Sequence, residues 1–263
     1  MSRALLLAGI ALALAAPAAA QLGAAPSSPA PEGVEQGQGA AHPKGQYHAL
    51  DALPDWGGIW FLQRGAPGGP PPPRPELRGD YLAAYEAWRQ AVADNQGVVP
   101  RNRSNCSPPG LPGIMQLAQY PYEFLFTPGR VTINQEAWMQ TRTIWTDGRA
   151  HEEDPDPSFH GDAVGHWEGD TLVVETIGIS DELELGPGMP HSDRFRLVER
   201  IHLSPDDPDV LVNRMTYHDP EALAEPFSTT VTYRRDRHGS LIEFQCSEND
   251  RNPVNAEGET LFE

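Results

Sequence analysis

The stretch Arg194-Phe-Arg-Leu-Val-Glu-Arg-Ile-His-Leu203 decides the fold. Successive side chains of a β-strand point to opposite faces. Phe195, Leu197, Ile201 and Leu203 therefore share one face, and Arg194, Arg196, Arg200 and His202 share the other. One face is dry and one is wet. Residues 227–235 repeat the division, with Phe227, Val231 and Tyr233 opposed to Ser228, Thr230, Thr232 and Arg234. Such alternation belongs to an antiparallel sheet with one solvated side.

Working outward, turn chemistry marks the neighbouring strands. Residues 194–203 and 210–218 are separated by Ser204-Pro-Asp-Asp-Pro-Asp209, and 227–235 and 241–246 by Arg237-His238-Gly239. Upstream, 164–168 and 171–179 flank Gly169-Asp170, the signal of a tight hairpin. Residues 122–127 and 131–136 flank Pro128-Gly129, which suits a type II turn, and 140–146 end at Asp147-Gly148. With 56–62 at the start, the pattern predicts about nine or ten strands in meander order. Consecutive hairpins need a way to remove their sheet edges, and closure is the simplest. The predicted fold is mainly β: an antiparallel up-and-down β-barrel with one helix and proline-rich loops near the N-terminus. The helix is predicted over 80–95, where Tyr81, Leu82, Tyr85, Trp88 and Val92 recur at helical spacing and Asp80 can cap the start.

Composition agrees. The 263 residues contain 25 Gly and 27 Pro, punctuation for short strands rather than for a helical bundle. Asp and Glu number 37 against 19 Lys and Arg, a formal net charge of -18, which repels phosphate backbones and argues against nucleic acid as a partner. Residues 1–20 read as an export signal: Arg3, an apolar run from Ala4 to Ala16, and Ala18-Ala19-Ala20 before Gln21. That run is too short for a membrane anchor, and no other stretch could span a bilayer as a helix. Residues 21–50 read as a disordered leader and 51–263 as a single barrel domain, interrupted by the polyproline stretch Ala66-Pro-Gly-Gly-Pro-Pro-Pro-Pro-Arg-Pro75. A periplasmic or secreted location follows. In an oxidising compartment, Cys106 and Cys246 favour a disulfide over two buried thiols, and either over a catalytic thiol.

Two motifs carry a resemblance. Asp147-Gly148-Arg149-Ala150-His151 precedes Trp167-Glu168-Gly169-Asp170-Thr171-Leu172-Val173-Val174-Glu175-Thr176, followed by Pro190-His191-Ser192 and Glu199-Arg200. This order resembles a widespread group of exported bacterial proteins, mostly of unassigned function, that carry D-G-R-x-H and W-E-G-D-T-L-V-V-E-T. Gly58-Ile59-Trp60 is similar to the G-x-W of lipocalin-like barrels. The likeness runs from about Cys106 to about Cys246. It implies export and a lipocalin-like β fold, and it implies no reaction. After Thr176 the group is usually rich in aromatics, whereas here the chain reads Ser180-Asp-Glu-Leu-Glu-Leu-Gly-Pro-Gly188.

Glu199 is the sharpest anomaly, a carboxylate on the apolar face between Leu197 and Ile201. Burying it is costly unless it is paired or its pKa rises. Three readings stand: an acid–base catalyst, a structural ion pair with Arg149 or Arg142, or a β-bulge that turns it outward. Six of the nine histidines lie between His151 and His218. His151, His160, His166 and His191 fall in or beside loops, either as site residues or as solvated loop side chains. The long connections 147–163 and 178–193 are expected at one rim, bringing His151 and His191 together above a cavity lined by Phe195 and Tyr217. Arg149, His160, Asp181 and Trp167 complete the candidate set. His151, Asp154, Asp156, His160, Asp162 and His166 could in principle hold a metal, but no pair has a diagnostic ligand spacing, so no metal is assigned. G-x-G-x-x-G, the P-loop and G-x-S-x-G are all missing, so no cofactor is expected. The expected partner is a small apolar or aromatic organic molecule. Cofactor-independent acid–base chemistry (isomerase, lyase or hydrolase), a non-catalytic carrier and a metal-dependent enzyme are the three functional readings.

Overall fold

The structure is a computed structural model that describes residues 45–65, 72–99 and 106–246. Residues 1–20, read from sequence as an export signal, most of the expected leader and the last residues of the chain lie outside the described residues. Nine strands close into one barrel: β1 (Ile59–Leu62), β2 (Tyr122–Thr127), β3 (Arg130–Gln135), β4 (Gln140–Trp145), β5 (Asp162–Glu168), β6 (Thr171–Ile177), β7 (Arg196–Leu203), β8 (Val210–His218) and β9 (Phe227–Asp236). They follow one another around the wall in sequence order, and β9 returns to pair with β1.

Directly paired residues point to the same face, so register defines the interior. Leu172, Ile201, Asn213 and Val231 form one tier of β6–β9, and Val174, Glu199, Met215 and Thr229 the next. Thr176, Leu197, Tyr217 and Phe227 complete the tier nearest the β7 start. Trp56, Phe126 and Trp167 pack ring to ring, each pair at 5.4 Å between centroids, at the opposite end. Tight turns behave as their sequences require. Gly129 has φ +72°, as the third position of a type II turn needs, and Gly169 has φ +59° between the paired Glu168 and Thr171.

Several details differ from the sequence reading. First, β4 and β5 are parallel, joined by the single pair Trp145↔Val164. Parallel neighbours need a crossover of a dozen or more residues, and the segment 146–161 is long enough to return along the outside of the barrel. Second, residues 241–246 form no strand. Pairing of β9 with β1 closes the barrel and leaves no edge for a tenth strand. Phe244 instead packs on Tyr120 and Trp138, at 5.5 and 5.6 Å between centroids. Third, the end of the expected leader is ordered into a 3-10 helix, Tyr47–Ala52. The helix α1 (Gly79–Asp94) lies within a residue of its expected bounds, but Arg78 is the N-cap and Asp80 sits in the first turn.

The mouth at the β7 start is filled by the segment before β2. Its 3-10 turn, Gly113–Gln116, buries Ile114 and Met115. Inward tyrosines bind its carbonyls: Tyr122 Oη donates to Ile114 O (2.8 Å) and Tyr233 Oη to Met115 O (2.7 Å). Gln135 Nε2 also donates to Ile114 O, and Gln116 Nε2 donates to Tyr217 Oη (3.1 Å). Loop residues Leu183, Leu185 and Met189 are buried beside this plug.

Cys106 and Cys246 form the expected disulfide, with Cα atoms 5.5 Å apart. It ties the start of the plug to the segment after β9, across 140 positions of sequence. Closing so long a loop removes much of the unfolded chain's freedom. Replacing both cysteines by serine is expected to lower the unfolding free energy by about 2–5 kcal/mol. A reduced urea midpoint measures this, and an unchanged midpoint would mean that the bridge constrains nothing.

Candidate functional site

Glu199 stays in register between Val174 and Met215 and points inward, fully buried, so the bulge reading is not realised. Its carboxylate is paired with Arg142, itself only 2 % exposed. Asn213 Nδ2 donates to Glu199 Oε1 (2.9 Å), and Arg142 Nη2 also reaches Thr176 Oγ1 (3.0 Å). Both carboxylate oxygens are occupied by donors, one from the adjacent β8 and one from β4 across the interior. The ion pair with Arg142 is realised. Asn213 was missed, although its position among Leu211, Met215 and Tyr217 on the dry face of β8 is the same kind of anomaly as Glu199.

Arg149 is elsewhere, on the outer wall. Asp147 grips it through Nε (2.9 Å) and Nη2 (2.7 Å), and its guanidinium lies 3.8 Å over the Trp145 ring. His151 sits on the same wall, with Nδ1 2.7 Å from Asp162 and Nε2 3.5 Å from Glu175. The two sequence motifs thus meet in space at His151 and Glu175. Glu175 also binds Arg196 at 2.5 Å, and Arg196 pairs across the sheet with His218.

His191 has other partners. It is buried in the loop over the mouth, with Nδ1 2.8 Å from Ser192 O and its ring 4.7 Å from Phe195. Burial lowers its pKa, against the Ser192 backbone contact and the Asp219 and Asp181 carboxylates, which favour the charged form. Phe195 and Tyr217 do meet, at 5.7 Å between centroids; Tyr217 is packed core under the plug, while Phe195, also buried, borders an open groove at the rim. Asp181 is exposed in the turn above them. Trp167 belongs to the aromatic cluster at the other end of the barrel. His160 binds Gln140 Oε1 through Nε2 (3.1 Å), and burial with the nearby Arg142 charge pushes its pKa down to about 4. His166 is exposed beside Glu168. Among the described residues, no group of three or more His, Cys, Asp and Glu is gathered as a metal would require.

Space for a ligand lies at the rim instead. A groove of about 810 Å³ runs between the 219–226 loop, the ends of β6 and β8, the start of β7 and Arg78. Phe195, Ile177 and Leu223 supply apolar surface, while Arg194, Arg196 and His218 supply polar atoms. Partial burial and the Arg196 charge lower the His218 pKa, against Glu175. Asp219 latches the groove's floor by accepting from Ser192 N and Oγ (both 2.7 Å) and from Ala222 N (2.9 Å). The chain matches no protein-family model, and no curated protein matches it.

Two predictions follow from this geometry. Glu199→Gln leaves the Arg142 charge buried without its counter-ion and is expected to cost about 3–5 kcal/mol. The double variant Arg142→Met/Glu199→Met should unfold at a higher urea concentration than either single change. A double variant as unstable as the sum of the singles would refute this. For His160, the folded state disfavours the proton that the unfolded chain accepts near the ordinary value of 6.5. Its contribution is therefore present above pH 6.5 and is lost as pH falls toward 4, with stability rising with pH between them. In His160→Gln, urea midpoints at pH 7 and pH 5 should lie closer together than in the native chain.

Proposed function

We propose that this protein is an exported β-barrel that binds a small organic molecule in the groove at its rim, without a cofactor. The groove carries the reading: it is the right size for such a ligand and combines an apolar floor with a few polar groups. The ligand that suits it has an apolar or aromatic body, resting on Phe195 and Leu223, and a polar end directed to Arg194, Arg196 and His218. The disulfide supports an exported location. So does the resemblance of the 147–151 and 167–176 motifs to exported bacterial proteins.

Acid–base chemistry is the second reading, favoured by one observation. His218 is held toward its neutral, proton-accepting form beside the fixed cation Arg196, within the groove. Glu199 does not serve this reading, because its oxygens are taken up by Arg142 and Asn213. A carrier would keep its affinity within a few-fold in His218→Gln, whereas an enzyme would lose turnover by roughly 10²-fold or more.

Native mass spectrometry of the exported protein is expected to reveal a co-purifying small organic molecule. As a defined probe, 8-anilinonaphthalene-1-sulfonate couples an aromatic body to an anion and should bind with enhanced fluorescence. Ala224→Trp places an indole in the groove from an exposed position and should abolish that binding while leaving the circular dichroism unchanged. Equal dye binding by the native chain and Ala224→Trp would rule out the groove as the site.

A further inference from the structure

Arg78 lines the rim groove from a part of the chain remote in sequence from its other walls. Residues 76–78 meet the 219–226 loop through a short antiparallel bridge, Leu77↔Leu223. Arg78 N donates to Ala222 O (3.0 Å) and Ala224 N to Glu76 O (2.9 Å), which fixes the Arg78 backbone against the loop. Its guanidinium is held as well, because Nε donates to Glu221 O (3.2 Å). That bond uses one of the five N–H donors of the fork and leaves both terminal nitrogens.

Two other cations of the groove are already answered. Arg194 pairs with Glu221 through Nε (3.1 Å), and Arg196 pairs with Glu175 through Nη1 (2.5 Å). Among the described residues, no carboxylate forms an ion pair with Arg78. Three carboxylates border the groove: Asp193, Asp219 and Glu225. Asp219 is occupied, accepting from Ser192 N and Oγ, Glu221 N and Ala222 N. Asp193 and Glu225 are exposed, and among the described residues no side-chain hydrogen bond orders either one. Immobilising a free side chain on binding costs entropy that an ordered one has already lost. A ligand anion therefore meets a pre-set donor, whereas a ligand cation would have to order its own acceptors. The net charge of -18 acts only weakly here, because charges more than about 10 Å away are largely screened at about 0.1 M salt.

Granted the rim groove as the ligand site, we propose that Arg78 anchors the ligand's polar end and that this end is an anion, a carboxylate held by the terminal nitrogens of the fork. A planar guanidinium matches the two oxygens of a carboxylate. Phe195 and Leu223 then take the apolar body, and Arg194, Arg196 and His218 add polar contacts while Arg78 supplies the counter-charge.

Two dyes with one aromatic body test this. 8-anilinonaphthalene-1-sulfonate carries a sulfonate, standing in for the carboxylate, that N-phenyl-1-naphthylamine lacks. Arg78→Gln is expected to weaken binding of the sulfonate dye by roughly ten-fold, the size of one charge-assisted hydrogen bond, and to leave the neutral dye's affinity unchanged. Ala224→Trp should abolish binding of both. An equal loss for the two dyes in Arg78→Gln, or no loss for the sulfonate dye, overturns the anchor while the groove stands. Binding of both dyes that Ala224→Trp does not alter removes the groove, and the anchor with it. Should Arg78→Gln not fold, a crystal structure of the native chain with the sulfonate dye decides. Sulfonate oxygens within hydrogen-bonding distance of Arg78 Nη1 or Nη2 are expected, and a sulfonate turned away from Arg78 overturns the proposal.

Discussion

The buried Arg142–Glu199 pair is the constraint around which the barrel interior is organised. Two charges held away from water are tolerable only when each finds a counter-charge and further hydrogen bonds. Arg142 comes from β4, Glu199 from β7, Asn213 from β8 and Thr176 from β6, so satisfying one carboxylate draws together strands on opposite sides of the wall. Apolar residues elsewhere in the core could exchange places at modest cost. This pair cannot, because a strand slipped by one residue would turn Glu199 to solvent and strand Arg142 inside. The pair therefore penalises slipped registers more sharply than the surrounding leucines and isoleucines do.

The same need for polar satisfaction closes the mouth. Tyr122, Tyr217 and Tyr233 point inward from three strands, and burial raises the pKa of each, so they remain neutral phenols in the fold. Their hydroxyls require partners, and the backbone and Gln116 of the plug provide them. A segment with little regular structure becomes fixed because it completes the hydrogen bonding of the tyrosines, and they complete that of its carbonyls. Once the mouth is filled, room for a ligand shifts to the rim.

Outside the wall, an acidic chain arranges its few cations locally. Arg196 answers Glu175, Arg149 answers Asp147, and Arg200 answers Glu168. Exposed pairs of this kind add little stability. They do hold guanidinium groups in fixed positions, which matters beside the groove. His151, between Asp162 and Glu175, links the crossover segment to the β5–β6 wall. The two motifs that stand out in the sequence are thus one structural contact.

Alternation and turn chemistry were enough for the β class, the approximate bounds of all nine strands, the helix, and the anomaly at Glu199. Each is local: a period of two, a turn glycine or a charge on a dry face can be recognised within ten residues. Cysteine count and the expected export likewise pointed to the disulfide. Tertiary structure alone decided the parallel step from β4 to β5, the missing tenth strand and the plug, because these depend on which edges remain open after closure. It also decided which arginine meets Glu199, and which partners His151 and His191 each take. Spacing in sequence carries no information about where a long loop crosses a barrel wall, or about which of two buried charges lies across the interior from the other.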